Sequence, residues 1–226
     1  RSTPKPSSAA SDVYKRQIPR GGFGSPVQDV KDGLKFIKVN SIFSFLIGMT
    51  FFNSFFGMAY VMVMPIFAVD ILEVGAKGQG MLLGMTGAGA LVNTLWMGTR
   101  GNMPNRGLTI IGGAVIFGLA VSAFALTAEY VGSMSLAMAL MFFMGIFNSV
   151  YMISIQSSLQ IMVPDSMRGR VMGFYGMTWS IMPLGGLQAS ALTSIFTAPI
   201  AIAAGGVAVA LFALGPAMFN SKVRSL

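Results

Sequence analysis

Charged side chains are almost absent after Lys38, and their absence follows a regular pattern. No Asp, Glu, Lys or Arg occurs in five long intervals of the sequence: 39–69, 78–99, 107–128, 130–164 and 171–221. A helix needs about 20 consecutive apolar residues to cross the hydrocarbon core of a bilayer. The first four intervals each hold one such helix, and the last is long enough for two. The pattern therefore predicts an all-α polytopic membrane protein with six transmembrane helices.

The composition agrees with an exterior that faces lipid. Hydrophobic residues make up 54% of the chain and charged residues only 10%, whereas soluble domains carry about 25% charged residues. Transmembrane strands are not expected, because they would show alternating segments of roughly ten residues instead of long apolar runs. We place the six helices, named spans A to F, at 41–64, 79–98, 107–127, 134–156, 171–195 and 199–219. Span A is expected to end near Pro65.

The positive charges predict the orientation of these helices. Of the ten Lys and Arg residues from position 31 onward, only Lys77 falls on the opposite side of a six-helix chain from the other nine. Cytoplasmic loops carry an excess of Lys and Arg. Both ends of the six-helix unit are therefore predicted to be cytoplasmic. The net charge of +8 is read as a topology signal and not as the sign of a nucleic-acid partner.

The segment before span A contains two parts of different character. Residues 1–17 are polar, have no hydrophobic period and resemble translated adapter sequence, so we interpret them as a non-native or naturally disordered tail. Residues 18–40 form a cytoplasmic linker, whose second half is an amphipathic helix with Val30, Leu34 and Ile37 on one face. This helix either lies on anionic headgroups or is simply solvated. The transmembrane bundle then occupies 41–219, and 220–226 form a cytoplasmic tail.

Several classes of chemistry are excluded by what the sequence lacks. The chain contains no Cys and no His, so disulfides, Cys-based metal sites and imidazole relays are impossible. We predict no cofactor, no metal site and no enzymatic activity, since no paired-carboxylate or phosphate-loop motif occurs. No span carries an ionisable acid or base, so a titratable coupling group is expected elsewhere.

Uncharged polar residues recur at helical spacing inside the spans. Thr86 and Asn93 are seven residues apart, as are Asn53 and Tyr60. Because an amide exposed to lipid is costly, these stripes should face other helices or a water-filled cavity. Both interpretations remain open. The candidates for cavity lining are Asn53, Tyr60, Thr86, Asn93, Asn148, Tyr151, Gln156 and Trp179.

Small residues and proline suggest where helices approach or bend. Gly80 and Gly84 in span B have the spacing of a close helix–helix contact. Pro183, Gly185 and Gly186 in span E predict a hinge, because proline removes a backbone donor and glycine relaxes the chain.

Two arginine-bearing loops lie on the predicted cytoplasmic side. The first is the turn at 98–107, and the second is VPDSMRGRV at 163–171, in which Asp165 and Arg168 are close enough for an ion pair. The motif residues in these loops are Arg100, Arg106, Asp165, Arg168, Gly169 and Arg170.

The segment LQIMVPDSMRGRVMGFYGMTWSIMPLGG resembles the loop between helices ten and eleven of the major facilitator superfamily, in its enterobactin-exporter and macrolide-efflux branch. VQDVKDGLKFIKVN and MPIFAVDILEVGAKGQGMLLGMTGAGALV are similar to its central linker helix and helices seven and eight. The resemblance covers about residues 27–219. In the first loop, Asn102 or Asn105 stands where this superfamily usually has an acid.

The resemblance implies that the chain is the C-terminal half of a twelve-helix efflux transporter. Such a protein would export a small amphipathic compound, a siderophore or drug, by alternating access in the bacterial inner membrane. Its partners would be the lipid bilayer, an N-terminal six-helix half and the small-molecule substrate. Protons are one candidate for the coupling ion, which the sequence leaves open. A six-helix channel and a non-transporting membrane scaffold are the alternatives.

Overall fold

The computed structural model describes residues 26–100 and 105–219, and every regular element in these stretches is helical. The predictions for the 1–17 tail, for Asn102 and for the 220–226 tail fall outside the described residues. The elements are α1 (Pro26–Val39), α2 (Ser41–Phe52), the π-helix π1 (Asn53–Gly57), α3 (Ala59–Ile66), the π-helix π2 (Phe67–Ile71), α4 (Gly75–Arg100), α5 (Arg106–Tyr130), α6 (Met134–Met162), α7 (Asp165–Trp179), α8 (Met182–Thr193) and α9 (Ala198–Phe219).

The all-α membrane fold is confirmed. Four helical stretches in the described part of the chain are long and apolar enough to cross a bilayer: Ser41–Ile71, Arg106–Tyr130, Met134–Met162 and Ala198–Gly215. They correspond to spans A, C, D and F. Span B is the 26-residue helix α4, whose many glycines and polar side chains make it less apolar. Crossing by α4 and by α7–α8 remains a prediction.

The predicted end of span A near Pro65 is wrong. Its helix continues through Pro65 to Ile71, and Pro65 lies inside α3 between two π-helices. In these wider turns the N–H of Met58 donates to the carbonyl of Asn53 at 2.7 Å, and that of Leu72 to Phe67 at 2.9 Å. Transmembrane helices tolerate proline where neighbouring groups or local backbone adjustments satisfy the freed carbonyl. Isolated π-turns also occur frequently at functional sites.

Span E is not the single helix that we predicted. It divides at Ser180–Ile181 into α7 and α8, and Pro183 lies at the start of α8. A proline in the first helical turn costs little, since the N–H that it lacks would have no partner within the helix. The predicted hinge residues Pro183, Gly185 and Gly186 therefore follow directly after a real break, and their action as a hinge remains a prediction.

Close backbone contacts at glycine hold the helices of the bundle together. Helix α5 packs along both α6 and α9, α4 packs along α6, and α8 lies beside α3. A Cβ atom added at Gly89 of α4 would collide with the carbonyl oxygen of Phe142 on α6. Gly145 meets the backbone of Thr86 in the same crossing. Such contacts are typical of membrane helices that associate through small residues.

The contact predicted at Gly80 and Gly84 is absent from the described structure. No atom lies within 4 Å of a Cβ placed at either glycine. The α4–α6 crossing instead uses Gly89, one turn or more further along the helix. Both earlier glycines remain on an open face of α4.

Candidate functional site

A cluster of three polar side chains lies between span A and α6. The side-chain nitrogen of Asn148 donates to the side-chain oxygen of Asn53 at 3.1 Å. The hydroxyl of Tyr151 donates to the same oxygen. Asn53 and Tyr151 are both 0% exposed. The cluster therefore links two helices through buried hydrogen bonds in an apolar interior, where an unpaired group would be costly.

The π-helix π1 begins at Asn53 and contributes to this arrangement. Its carbonyl accepts the N–H of Met58, five residues on, so the helix widens where the amide projects toward α6. The side-chain nitrogen of Asn53 lies 3.9 Å from the sulfur of Met152, a weak acceptor. Both ends of the Asn53 amide thus have a partner on α6.

Two further polar pairs join neighbouring helices. Asn93 of α4 is only 3% exposed, and its side-chain nitrogen donates to the hydroxyl of Ser149 on α6 at 2.8 Å. The buried side chain of Tyr60 interacts with Thr86 of α4. Polar contacts therefore join span A to α6, α4 to α6 and span A to α4.

Six of the eight predicted cavity-lining residues make polar contacts between helices, in three separate groups. They are Asn53, Tyr60, Thr86, Asn93, Asn148 and Tyr151. Gln156 and Trp179 are exposed and belong to none of these contacts. Exposure to a substrate cavity in another conformation remains a prediction for all eight.

A second polar cluster joins the linker helix α1 to α7. The guanidinium of Arg170 lies 2.5 Å from a carboxylate oxygen of Asp29 and 3.9 Å from one of Asp32. Next to this pair, a Cβ atom at Gly33 would lie 2.9 Å from the ring of Phe174. We name Arg170, Asp29 and Asp32 the α1–α7 latch. Sequence analysis missed it, although the three-residue spacing of the two acids places them on one face of α1.

Three other motif residues, Asp165, Arg168 and Gly169, are exposed at the start of α7. The predicted ion pair between Asp165 and Arg168 is confirmed, at 2.8 Å, but the Asp165 side chain is 88% exposed. Exposed pairs of this kind contribute about 0–1 kcal/mol. Gly169 is also exposed, and Arg100 is the last residue of α4.

Arg106 begins α5 and lines a cavity among α4, α5 and α6. The cavity has a volume of about 290 Å³, and Thr94, Ser154 and Ser157 contribute polar atoms to its wall. The cavity therefore combines one basic side chain with three hydroxyl groups. It lies at the same end of the bundle as the α1–α7 latch.

Comparison with known families shows to which family the sequence of this helical protein belongs. The sequence profile of the Major Facilitator Superfamily matches residues 5–187, most of the chain. The chain belongs to the major facilitator superfamily. Members of this superfamily are membrane transporters, so the chain is a multi-pass membrane protein of a transporter family. Comparison with curated proteins and with solved structures gives no match.

In this member of the major facilitator superfamily, the Asn53 cluster and the α1–α7 latch differ in burial. The first lies in the bundle interior, whereas the Arg170 side chain is 35% exposed at its edge.

Proposed function

We propose that this chain is the C-terminal six-helix half of a twelve-helix secondary transporter. It would export a small amphipathic compound, such as a siderophore or drug, across the bacterial inner membrane by alternating access. Both ends of the six-helix unit would be cytoplasmic, and protons are the coupling ion to test first. The observation that carries the proposal is the set of buried polar contacts linking span A, α4 and α6 in a bundle of the superfamily.

Open glycine faces on two helices support a second half as the partner. Gly84 and Gly87 of α4, and Gly173 and Gly176 of α7, have no described atom within 4 Å of a Cβ position. Small residues allow two membrane helices to approach closely. We assign these faces to contact with the N-terminal half.

The α1–α7 latch supports a conformational role for the RGRV segment. It connects the linker helix to the N-terminal part of α7, and the helix break at Ser180–Ile181 follows the other end of α7. A contact present in only one of two states biases their equilibrium by its energy in that state. We propose that the latch forms in one of the two alternating-access states and opens in the other.

Asp29→Asn is expected to slow export by the complete transporter several-fold without loss of folded protein. The substitution removes the charge that lies 2.5 Å from Arg170. A loss of about 1 kcal/mol in one state would change its population about fivefold. Initial export rates from cells, divided by the amount of protein in the membrane, measure this effect.

Asp165→Asn is the matched control for Asp29→Asn. It removes the same charge from the exposed pair with Arg168 and is expected to leave the export rate unchanged. Equal rates for the two variants would exclude the latch as a conformational element.

The complete coding sequence tests the proposed function itself. We expect a second region with six apolar spans upstream of residue 18, and we expect cells expressing the whole protein to retain less of an amphipathic compound. Absence of a second six-span region would contradict the twelve-helix proposal. Steady flux that is insensitive to ionophores would favour a channel instead.

A further inference from the structure

The linker helix α1 separates its acidic and basic residues onto different sides. Asp29 and Asp32 turn toward Arg170, with which they form the α1–α7 latch. Lys31, Lys35 and Lys38 are all exposed, and their spacing of four and three residues places them on one face of a helix. The acids are thus paired within the protein, whereas the three lysines form a basic surface.

Apolar side chains accompany the lysines on the exposed part of α1. Val27 is 62% exposed, Val30 50% and Leu34 40%. The packed side is different: Ile37 is 5% exposed, and Phe36 stacks on Phe43 of α2 with ring centroids 5.2 Å apart. A basic helix that also exposes valine and leucine is typical of segments lying in the headgroup region of a membrane.

The position of α1 brings this surface to the edge of the bilayer. Its last residue, Val39, is separated from the apolar helix Ser41–Ile71 by Asn40 alone. Asn40 is extended, with φ −101° and ψ 107°, so α1 is a separate helix and not an extension of span A. The hydroxyl of Ser44 donates to the carbonyl of Ile37 at 2.7 Å and fixes the junction. A 14-residue helix is about 21 Å long, so all three lysines remain close to the start of the span.

We propose that Lys31, Lys35 and Lys38, together with Val27, Val30 and Leu34, bind the headgroups of anionic phospholipids. The lysines would contact phosphate and other anionic headgroup oxygens, and the apolar side chains would enter the boundary with the acyl chains. Lysines close to an anionic membrane surface are attracted to it, and their contributions add. The latch completes the surface, because it holds both acids of this helix away from the lipid.

Hydrogen–deuterium exchange of the whole chain in nanodiscs tests this proposal. Amides of α1 are expected to exchange about tenfold more slowly when phosphatidylglycerol is mixed into phosphatidylcholine. High salt should remove the difference, since it screens charges that are exposed to solvent. Exchange in the other helices serves as the internal reference.

Lysine variants distinguish charge recognition from a general effect of lipid. A variant combining Lys31→Gln, Lys35→Gln and Lys38→Gln should lose the dependence on phosphatidylglycerol, while the three Lys→Arg changes and the separate Lys77→Gln should retain it. Unchanged α1 exchange of the glutamine variant in pure phosphatidylcholine would show that the helix is still folded. If α1 of the glutamine variant exchanges faster in pure phosphatidylcholine, that variant is not folded and only the arginine variant is used. Loss of the phosphatidylglycerol effect in the arginine variant would then overturn the proposal.

Equal exchange of α1 in the two lipids would overturn the proposal and leave an acidic protein surface as the occupant of this face. A lipid effect that survives in the folded glutamine variant would also overturn it. Neither outcome depends on transport, so the test is independent of the proposed function.

Discussion

Gly89→Ala is expected to destabilise the purified chain by about 1–3 kcal/mol, the usual cost of an extra methyl group in a tightly packed contact. The new Cβ atom would collide with the carbonyl oxygen of Phe142 and lie 3.0 Å from the backbone nitrogen of Ile146. Backbone atoms cannot rotate away as a side chain can, so α4 and α6 would have to separate. Unfolding of the chain in detergent micelles, followed by its helical circular dichroism, measures the loss.

Gly84→Ala is the matched control, because it adds the same atom to the same helix. No described atom lies within 4 Å of that Cβ position, and alanine favours a helix over glycine by about 1 kcal/mol. The isolated chain should therefore be as stable as before or more so. Equal losses at both positions would show that α4 and α6 do not cross as described.

Asn53→Ala is expected to cost about 1–3 kcal/mol, because it removes the acceptor of two buried donors. The Tyr151 hydroxyl and the Asn148 side-chain nitrogen both donate to Asn53. Neither water nor lipid replaces that oxygen where Asn53 and Tyr151 are 0% exposed. The same unfolding experiment in micelles measures the change.

A double-mutant cycle shows whether the contact itself is responsible. Combining Asn53→Ala with Tyr151→Phe should cost less than the sum of the single changes, with a coupling of at least about 0.5 kcal/mol. Gln156→Ala, which removes an exposed amide from the same helix α6, should have little effect. Strictly additive losses would mean that the two side chains do not interact in the folded chain.

The positions of the helices were predictable because a helix that crosses a bilayer must be long, apolar and nearly free of charge. Charge interrupts a crossing helix at high cost, so gaps between charges locate the helices to within a few residues at most ends. Backbone irregularities inside a helix leave no such signal. Pro65 suggested an end, but the helix continues past it to Ile71, with a π-helix on each side of α3. Pro183, Gly185 and Gly186 suggested a hinge, but the break lies just before them, at Ser180–Ile181.

The residues of the Asn53 cluster were also predictable, whereas their pairing and the acids of the α1–α7 latch were not. Asn53 and Tyr151 were identified individually because a polar side chain in an apolar span needs a partner. Which partner it finds depends on how the helices cross, and these two residues lie 98 positions apart. The same holds for Arg170 and Asp29, which are 141 positions apart. Charge complementarity alone did not select that pair, because another acid, Asp165, and several other basic residues lie on the same predicted side of the membrane.

Six membrane crossings are the central claim of this account, because a transporter half requires α4 and the α7–α8 pair to cross as well as the four more apolar helices. Single cysteines test it directly, since the chain contains none of its own. Suitable exposed positions are Lys35, Lys77, Val131, Asp165 and Ser194. A membrane-impermeant maleimide added to intact cells distinguishes the two sides of the membrane.

With six crossings, cysteines at Lys77, Val131 and Ser194 react in intact cells, and those at Lys35 and Asp165 react only after the membrane is permeabilised. If only the four more apolar helices crossed, the hairpin formed by α5 and α6 would have the opposite orientation in the membrane. In that case Asp165→Cys would be labelled in intact cells and Val131→Cys would be protected. That reversal would contradict the six-helix transporter half.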